Sequence, residues 1–172
     1  MATIEKNDDK YFMHLALKEA KKALSMGEFP VGCVMVLGDQ VLASGSRESS
    51  FGHNTNELDH AEIVTLRKLA SLKDFHDYGR VRVYCTMEPC LMCYAALILS
   101  GIRRIVWAYE DIMGGGTNCN LSVLPPLYAK SRVSVVPYVR RRESLEIFKS
   151  FFSNPHHQYW KESLLAEYTL KQ

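Results

Sequence analysis

The sequence has no apolar run near the roughly 20 residues that a membrane-spanning helix needs, which argues against a bilayer segment. Met1 to Lys10 is polar and charged and lacks the apolar stretch of a secretory signal, so the cytoplasm is the expected compartment. Neither sign of charge dominates. Lys and Arg total 21 against 19 Asp and Glu, a formal net charge of +2, so composition alone does not call for a nucleic-acid partner. No internal repeat, low-complexity tract or linker interrupts the 172 residues. That length fits one domain with a substantial core, expected over about 10–152, with a helical extension over about 153–172. The cysteines do not make an even set. Cys33, Cys85, Cys90, Cys93 and Cys119 number five, which argues against a disulfide scaffold and leaves metal ligation, nucleophilic chemistry or core packing.

What is present is an alternation of helical and strand periods. Asp8 and Asp9 are placed to cap a helix over Lys10–Met26, ended by Gly27. Val31–Leu37 and Val41–Ser44 read as strands of an antiparallel hairpin turned by Gly38-Asp39-Gln40. A polar loop, Gly45–Asp59, leads to a helix over Ala61–Leu72 and a strand over Val81–Thr86. Pro89 opens a helix over Cys90–Ser100, stopped by Gly101. A strand over Arg104–Tyr109, a glycine-rich loop over Asp111–Asn120 and a strand over Val133–Val136 follow. Arg142–Phe152 and Tyr159–Leu170 read as two closing helices. The pattern predicts an α/β fold, a three-layer α/β/α arrangement around a mixed five-stranded sheet whose last three strands are parallel.

Two segments carry chemistry. His60-Ala61-Glu62 stands at one helix start and Pro89-Cys90-Leu91-Met92-Cys93 at the next. Cys90 and Cys93 are three apart, so both sulfurs can face one point in a first helical turn. Unpaired amides and the dipole at a helix start favour thiolate. Two thiolates and a neutral imidazole from His60 make three ligands for zinc, and an open fourth position would make the site catalytic. Glu62 is the residue type and lies at the distance to carry protons at such a site. Other readings remain open. The C-x-x-C could be a redox pair or half of a structural zinc site, and Glu62 alone could be a solvated helix residue. Cys119 or His53 could complete and close the metal sphere. Cys33 and Cys85 fit the core, His14 a structural role, and His156 and His157 a solvent-exposed connector.

The H-A-E and P-C-L-M-C segments resemble the cytidine deaminase-like superfamily of zinc deaminases, and Pro30-Val31-Gly32, Thr86-Met87-Glu88 and Arg104-Ile105-Val106 fit that context over roughly Tyr11 to Phe152. The M-E-P-C-x-M-C form and the Phe151-Phe152 pair are most similar to the branch holding bacterial tRNA adenosine deaminases and guanine or cytosine deaminases. The resemblance implies that His60, Cys90 and Cys93 bind Zn2+ and that Glu62 moves protons from water to a leaving amine. It also implies that the Ala61 amide contacts the substrate and that the protein is a homodimer. Met92, Tyr94 and Leu97 on the helix after Cys90 are candidates for that interface.

Two departures bear on the substrate. The tRNA enzymes carry Gly-x-Asn after the second strand, where this chain has Gly45-Ser46-Arg47, so Asn54 or Asn56 is expected to contact the substrate instead. The basic helix that follows Phe-Phe in those enzymes is replaced by Ser153-Asn154-Pro155 and a tail of mixed charge, while Arg140, Arg141 and Arg142 form the remaining basic cluster. The readings are therefore adenosine deamination in tRNA, deamination of a free base or nucleoside under a lid containing Tyr159 and Trp160, and a non-catalytic zinc-stabilised interaction module.

Overall fold

A computed structural model describes residues 4–172, with side chains from Asp9 onward. In chain order it has α1 (Ile4–Ser25), β1 (Gly32–Leu37), β2 (Gln40–Ser46), α2 (Ala61–Ala70), β3 (Arg82–Met87), α3 (Leu91–Leu99), β4 (Arg104–Tyr109), a single turn α4 (Pro126–Ala129), β5 (Ser134–Val136), α5 (Arg141–Ser153) and α6 (Leu164–Lys171). The strands form one sheet in the order β2-β1-β3-β4-β5. β1 is antiparallel to β2 and β3, whereas β3, β4 and β5 run parallel, so the sheet is mixed as the sequence pattern predicts.

Alternation along the strands builds two apolar layers. Val34, Val36, Tyr84, Val106 and Ala108 meet Phe12, Met13, Ala16, Leu17 and Ala20 of α1 on one face. Cys33, Met35, Val83, Cys85, Ile105 and Trp107 meet Leu69 of α2 and Tyr94, Leu97 and Ile98 of α3 on the other. The α1 helix lies so close to β1 that a Cβ on Gly32 would come within 2.1 Å of the Ala16 carbonyl oxygen. The extension folds back on this core: α6 packs on α5, and the Tyr109 hydroxyl lies 3.0 Å from the Thr169 hydroxyl.

Three expectations change. The first helix begins at Ile4, so neither Asp8 nor Asp9 caps it. The Asp9 carboxylate is used instead by the sheet, accepting from the Tyr84 hydroxyl at 2.8 Å and Arg104 Nη2 at 2.9 Å, partners 75 and 95 residues away. The last helix begins at Leu164 rather than Tyr159, with Ser163 Oγ accepting from the Ala166 amide as its cap. Tyr159 and Trp160 lie in the connector, Trp160 in a left-handed conformation at φ 55°. On α3, Tyr94 and Leu97 are buried in the core of their own chain and cannot face a partner. Leu91 (58% exposed), Met92 and Leu99 (57% exposed) form its outer face.

Candidate active site

Each motif ends up at the N-terminus of a helix: α2 begins at Ala61 as expected, while α3 begins at Leu91, one residue after the expected start. His60 is the N-cap of α2 and Cys90 the N-cap of α3, both with extended backbone and neither spending its side chain on a capping hydrogen bond. Pro89 accordingly lies just outside its helix. Cys93 sits on the first turn of α3 and Glu62 on that of α2. Parallel β3 and β4 carry the chain past the same end of the sheet. From there the loop after β4 returns across the start of α3. A bridge pairs Cys90 with Gly115, and the Gly116 amide donates to the Pro89 carbonyl at 2.9 Å. A Cβ on Gly116 would lie 2.6 Å from Leu91 Cα, backbone against backbone, which is why glycine fits this point. The buried Glu88 carboxylate fastens the same loop, accepting from the Thr117 hydroxyl and from the Thr117 and Asp111 amides.

His60 Nδ1 lies 3.5 Å from Cys90 Sγ and 3.5 Å from Cys93 Sγ. All three ligand atoms lie within 4.8 Å of one another, and among the described residues no other group of three metal-binding side chains converges in this way. Neither His53 nor Cys119 joins them. A tetrahedral zinc with nitrogen at about 2.0–2.1 Å and sulfur at about 2.3 Å holds such atoms roughly 3.6 Å apart, so the donor set and its spacing both fit the ion. The outer nitrogen of the imidazole, Nε2, stands 3.8 Å from Glu57 Oε2, so a carboxylate backs the ligand.

The protons of this cluster are already unevenly held. The hydrogen bond from Cys93, aided by His60, brings Cys90 down to about 4. The same bond to Cys90, together with burial, keeps the proton on Cys93. The bond with Cys90 also raises His60. Glu62 is 3% exposed, and burial pushes its carboxyl up to about 7 against the opposing pull of His60. A carboxyl brought near neutrality in a closed pocket can both accept and return a proton.

A cavity of about 70 Å3 opens in front of these groups, walled by His60, Ala61, Glu62, Arg47, Tyr159 and Trp160 among others. Asn54 and Asn56 do not line it. Asn54 is exposed, and the Asn56 side chain is spent on the loop itself, accepting from the Leu58 and Asp59 amides and donating to Asp59 Oδ2 at 2.8 Å. Arg47, the residue standing where the asparagine was missed, lines the cavity instead. Glu57 carried no signal in the sequence, because its contacts with Arg47 and Tyr159 are tertiary and only His60 is a near neighbour, three residues on.

Residues 6–109 match the family model of the cytidine and deoxycytidylate deaminase zinc-binding region. A tRNA-specific adenosine deaminase of Buchnera aphidicola subsp. Schizaphis graminum is 30% identical over 88% of this chain and 98% of its own length. A second, from Buchnera aphidicola subsp. Baizongia pistaciae, is 39% identical over 85% of this chain and 89% of its own. A solved structure from a study of A-to-I editing by tRNA:A34 deaminases superposes with a TM-score of 0.66 at 29% identity, over 80% of this chain and 98% of that one. Guanine deaminase from Nitrosomonas europaea shares the fold, with a TM-score of 0.64 at 19% identity over 81% of each chain. The chain therefore belongs to the cytidine and deoxycytidylate deaminase zinc-binding family, and it is a zinc-dependent hydrolytic deaminase.

Proposed function

We propose that this protein converts adenosine to inosine within tRNA. The observation that carries the reading is the cluster of His60, Cys90 and Cys93 beside the buried Glu62 at the floor of one cavity. The substrate is suggested by relatives named tRNA-specific adenosine deaminase, which align along most of their own length. His60, Cys90 and Cys93 would hold zinc, which when bound supplies a Lewis acid that makes water nucleophilic near neutral pH. Glu62 takes a proton from the attacking water and delivers it to the purine ring nitrogen. The water oxygen bonds to the ring carbon that bears the amine. Glu62 then takes the second proton, from the new hydroxyl, and passes it to the exocyclic amine nitrogen; the carbonyl forms, the C–N bond breaks and ammonia leaves. Ala61, first residue of α2, lines the cavity and has an amide with no acceptor within its helix, which would be free to donate to the substrate.

The exposed apolar face of α3, Leu91, Met92 and Leu99, supports a homodimer. Among the described residues no helix is long and apolar enough to cross a membrane, which is consistent with work in the cytoplasm. A second reading, deamination of a free base or nucleoside, is favoured by one observation: Tyr159 and Trp160 stand in the cavity wall and keep it small. Ammonia and inosine release decides between the two. Zinc-loaded protein is given an anticodon stem–loop, adenosine, adenine, guanine, cytosine and cytidine. Turnover of the stem–loop that weakens steeply with salt is the expected result. Turnover of a free base with none of the stem–loop overturns the tRNA reading.

A further inference from the structure

Arg47 is buried to 2% exposure at the end of β2, yet it lines the same cavity as His60, Ala61 and Glu62. Its guanidinium is fixed from several sides. Nη1 donates to the Glu48 carbonyl and Nη2 to the Asn56 carbonyl. Nη2 also lies 3.5 Å from Glu57 Oε2, and the Tyr159 ring covers the group with its centroid 5.8 Å from Cζ. The Tyr159 hydroxyl donates to that same Glu57 oxygen at 2.7 Å, which pins the cover in place. One donor is left over. Arg47 Nε is buried and has no hydrogen-bond partner.

A buried N–H without an acceptor costs free energy, and the two Nη bonds already suffice to tie down the 48–57 loop. A purely structural arginine gains nothing from the spare donor. A ligand acceptor would use it, and with a charged donor that bond is stronger than a neutral one. The place is suitable. Arg47 Nη2 and His60 Nε2 both lie within 4 Å of one Glu57 oxygen, so the guanidinium stands beside His60 in the wall of the same cavity.

We propose that Arg47 is a specificity-determining residue whose Nε–H donates to an acceptor on the substrate, either a ring nitrogen or carbonyl of the base or a hydroxyl of its ribose. The inference rests on the deaminase reading of this cavity, whichever nucleobase is used. The probes are adenosine, 7-deazaadenosine and 2′- and 3′-deoxyadenosine, presented free and at the target position of the stem–loop. Wild-type protein discriminates by about 10- to 100-fold in kcat/KM against the one analogue that lacks the acceptor. A loss with the 7-deaza compound places the acceptor on the base, and a loss with a deoxy compound places it on the sugar. Arg47→Met lowers kcat/KM on adenosine by a similar factor and erases the discrimination, with zinc content unchanged. Arg47→Lys, which keeps the charge without the planar fork, does the same.

Equal losses on every analogue, or no loss, would show a loop strut only and overturn the proposal. Should both variants fail to fold, wild-type discrimination below threefold across all the analogues overturns it as well. Inactivity on the stem–loop alone sinks the tRNA reading and leaves Arg47 to be read on the free nucleosides. If nothing is turned over, binding to the zinc-loaded Glu62→Gln protein replaces kcat/KM. Absence of binding to every probe then overturns the proposal too.

Discussion

Replacing Glu62 by glutamine should make the metal-free protein more stable while nearly abolishing its activity. The carboxyl is buried and sits at about 7 in the fold against an ordinary 4.5. An acid whose pKa rises on folding is favoured in its protonated form by the native state. Stability is therefore lost as pH climbs through 4.5 toward 7 and stays lost above it. Fully ionised, a carboxyl moved that far carries about 3 kcal/mol of destabilisation. Glutamine keeps the shape and removes the charge, so it recovers at most about 3 kcal/mol, which in a chain of this size is roughly 6–12 °C in Tm. Thermal melts of chelated wild-type and Glu62→Gln protein between pH 4 and 8 read the effect. The gap should be widest near pH 8 and close below pH 5. In zinc-loaded protein the same variant should lose roughly 100- to 10,000-fold in kcat, because the proposed proton carrier is gone. Equal melting temperatures at pH 8, a gap independent of pH, or a kcat within tenfold of wild type would refute the reasoning.

Cys93→Ala removes one of the three proposed ligands, so zinc should be absent after dialysis, measured as metal per chain, and activity should vanish with it. Gly116→Ala drives a methyl group into the backbone of Leu91 and should cost about 1–3 kcal/mol in a denaturant melt while weakening zinc retention, because the loop it displaces holds Cys90. Leu91→Glu with Leu99→Glu places charge on the outer face of α3; if that face joins two copies, sedimentation should show monomers with an unchanged circular dichroism spectrum. Asp9→Ala removes a buried carboxylate that accepts from both the Tyr84 hydroxyl and Arg104 and should destabilise by about 1–3 kcal/mol, with no change in zinc content.

The metal site was legible because its spacing is local. Cys90 and Cys93 share one helical turn, and His60 and Glu62 another, so proline, capping and periodicity rules place them without reference to the rest of the chain. The strands and their parallel half were legible for the same reason. The substrate wall was not. Asn54 and Asn56 were sought as polar residues in a polar loop, but a loop asparagine more readily closes its own turn, as Asn56 does. Arg47 reads as a surface residue by type and is buried only because the Glu48 and Asn56 carbonyls and the Tyr159 ring converge on it from three places in the chain. The sequence pattern overextends the last helix because Tyr159 fits a helical period. Its ring instead packs against Phe29 at 5.1 Å, and that tertiary contact outweighs local propensity.

The bond from Tyr159 to Glu57 has a kinetic corollary. On the tRNA reading, a nucleotide still joined to its neighbours would meet the cavity wall that holds Tyr159 and Trp160, and the Tyr159 ring is moored to the same Glu57 oxygen that stands 3.8 Å from His60 Nε2. If a polymer enters there, its entry and relaxation of that mooring would be coupled. Shortening the protein before Gln158 would free the doorway and loosen the support behind the imidazole together. One carboxylate oxygen would then join the cavity wall to the proposed ligand His60.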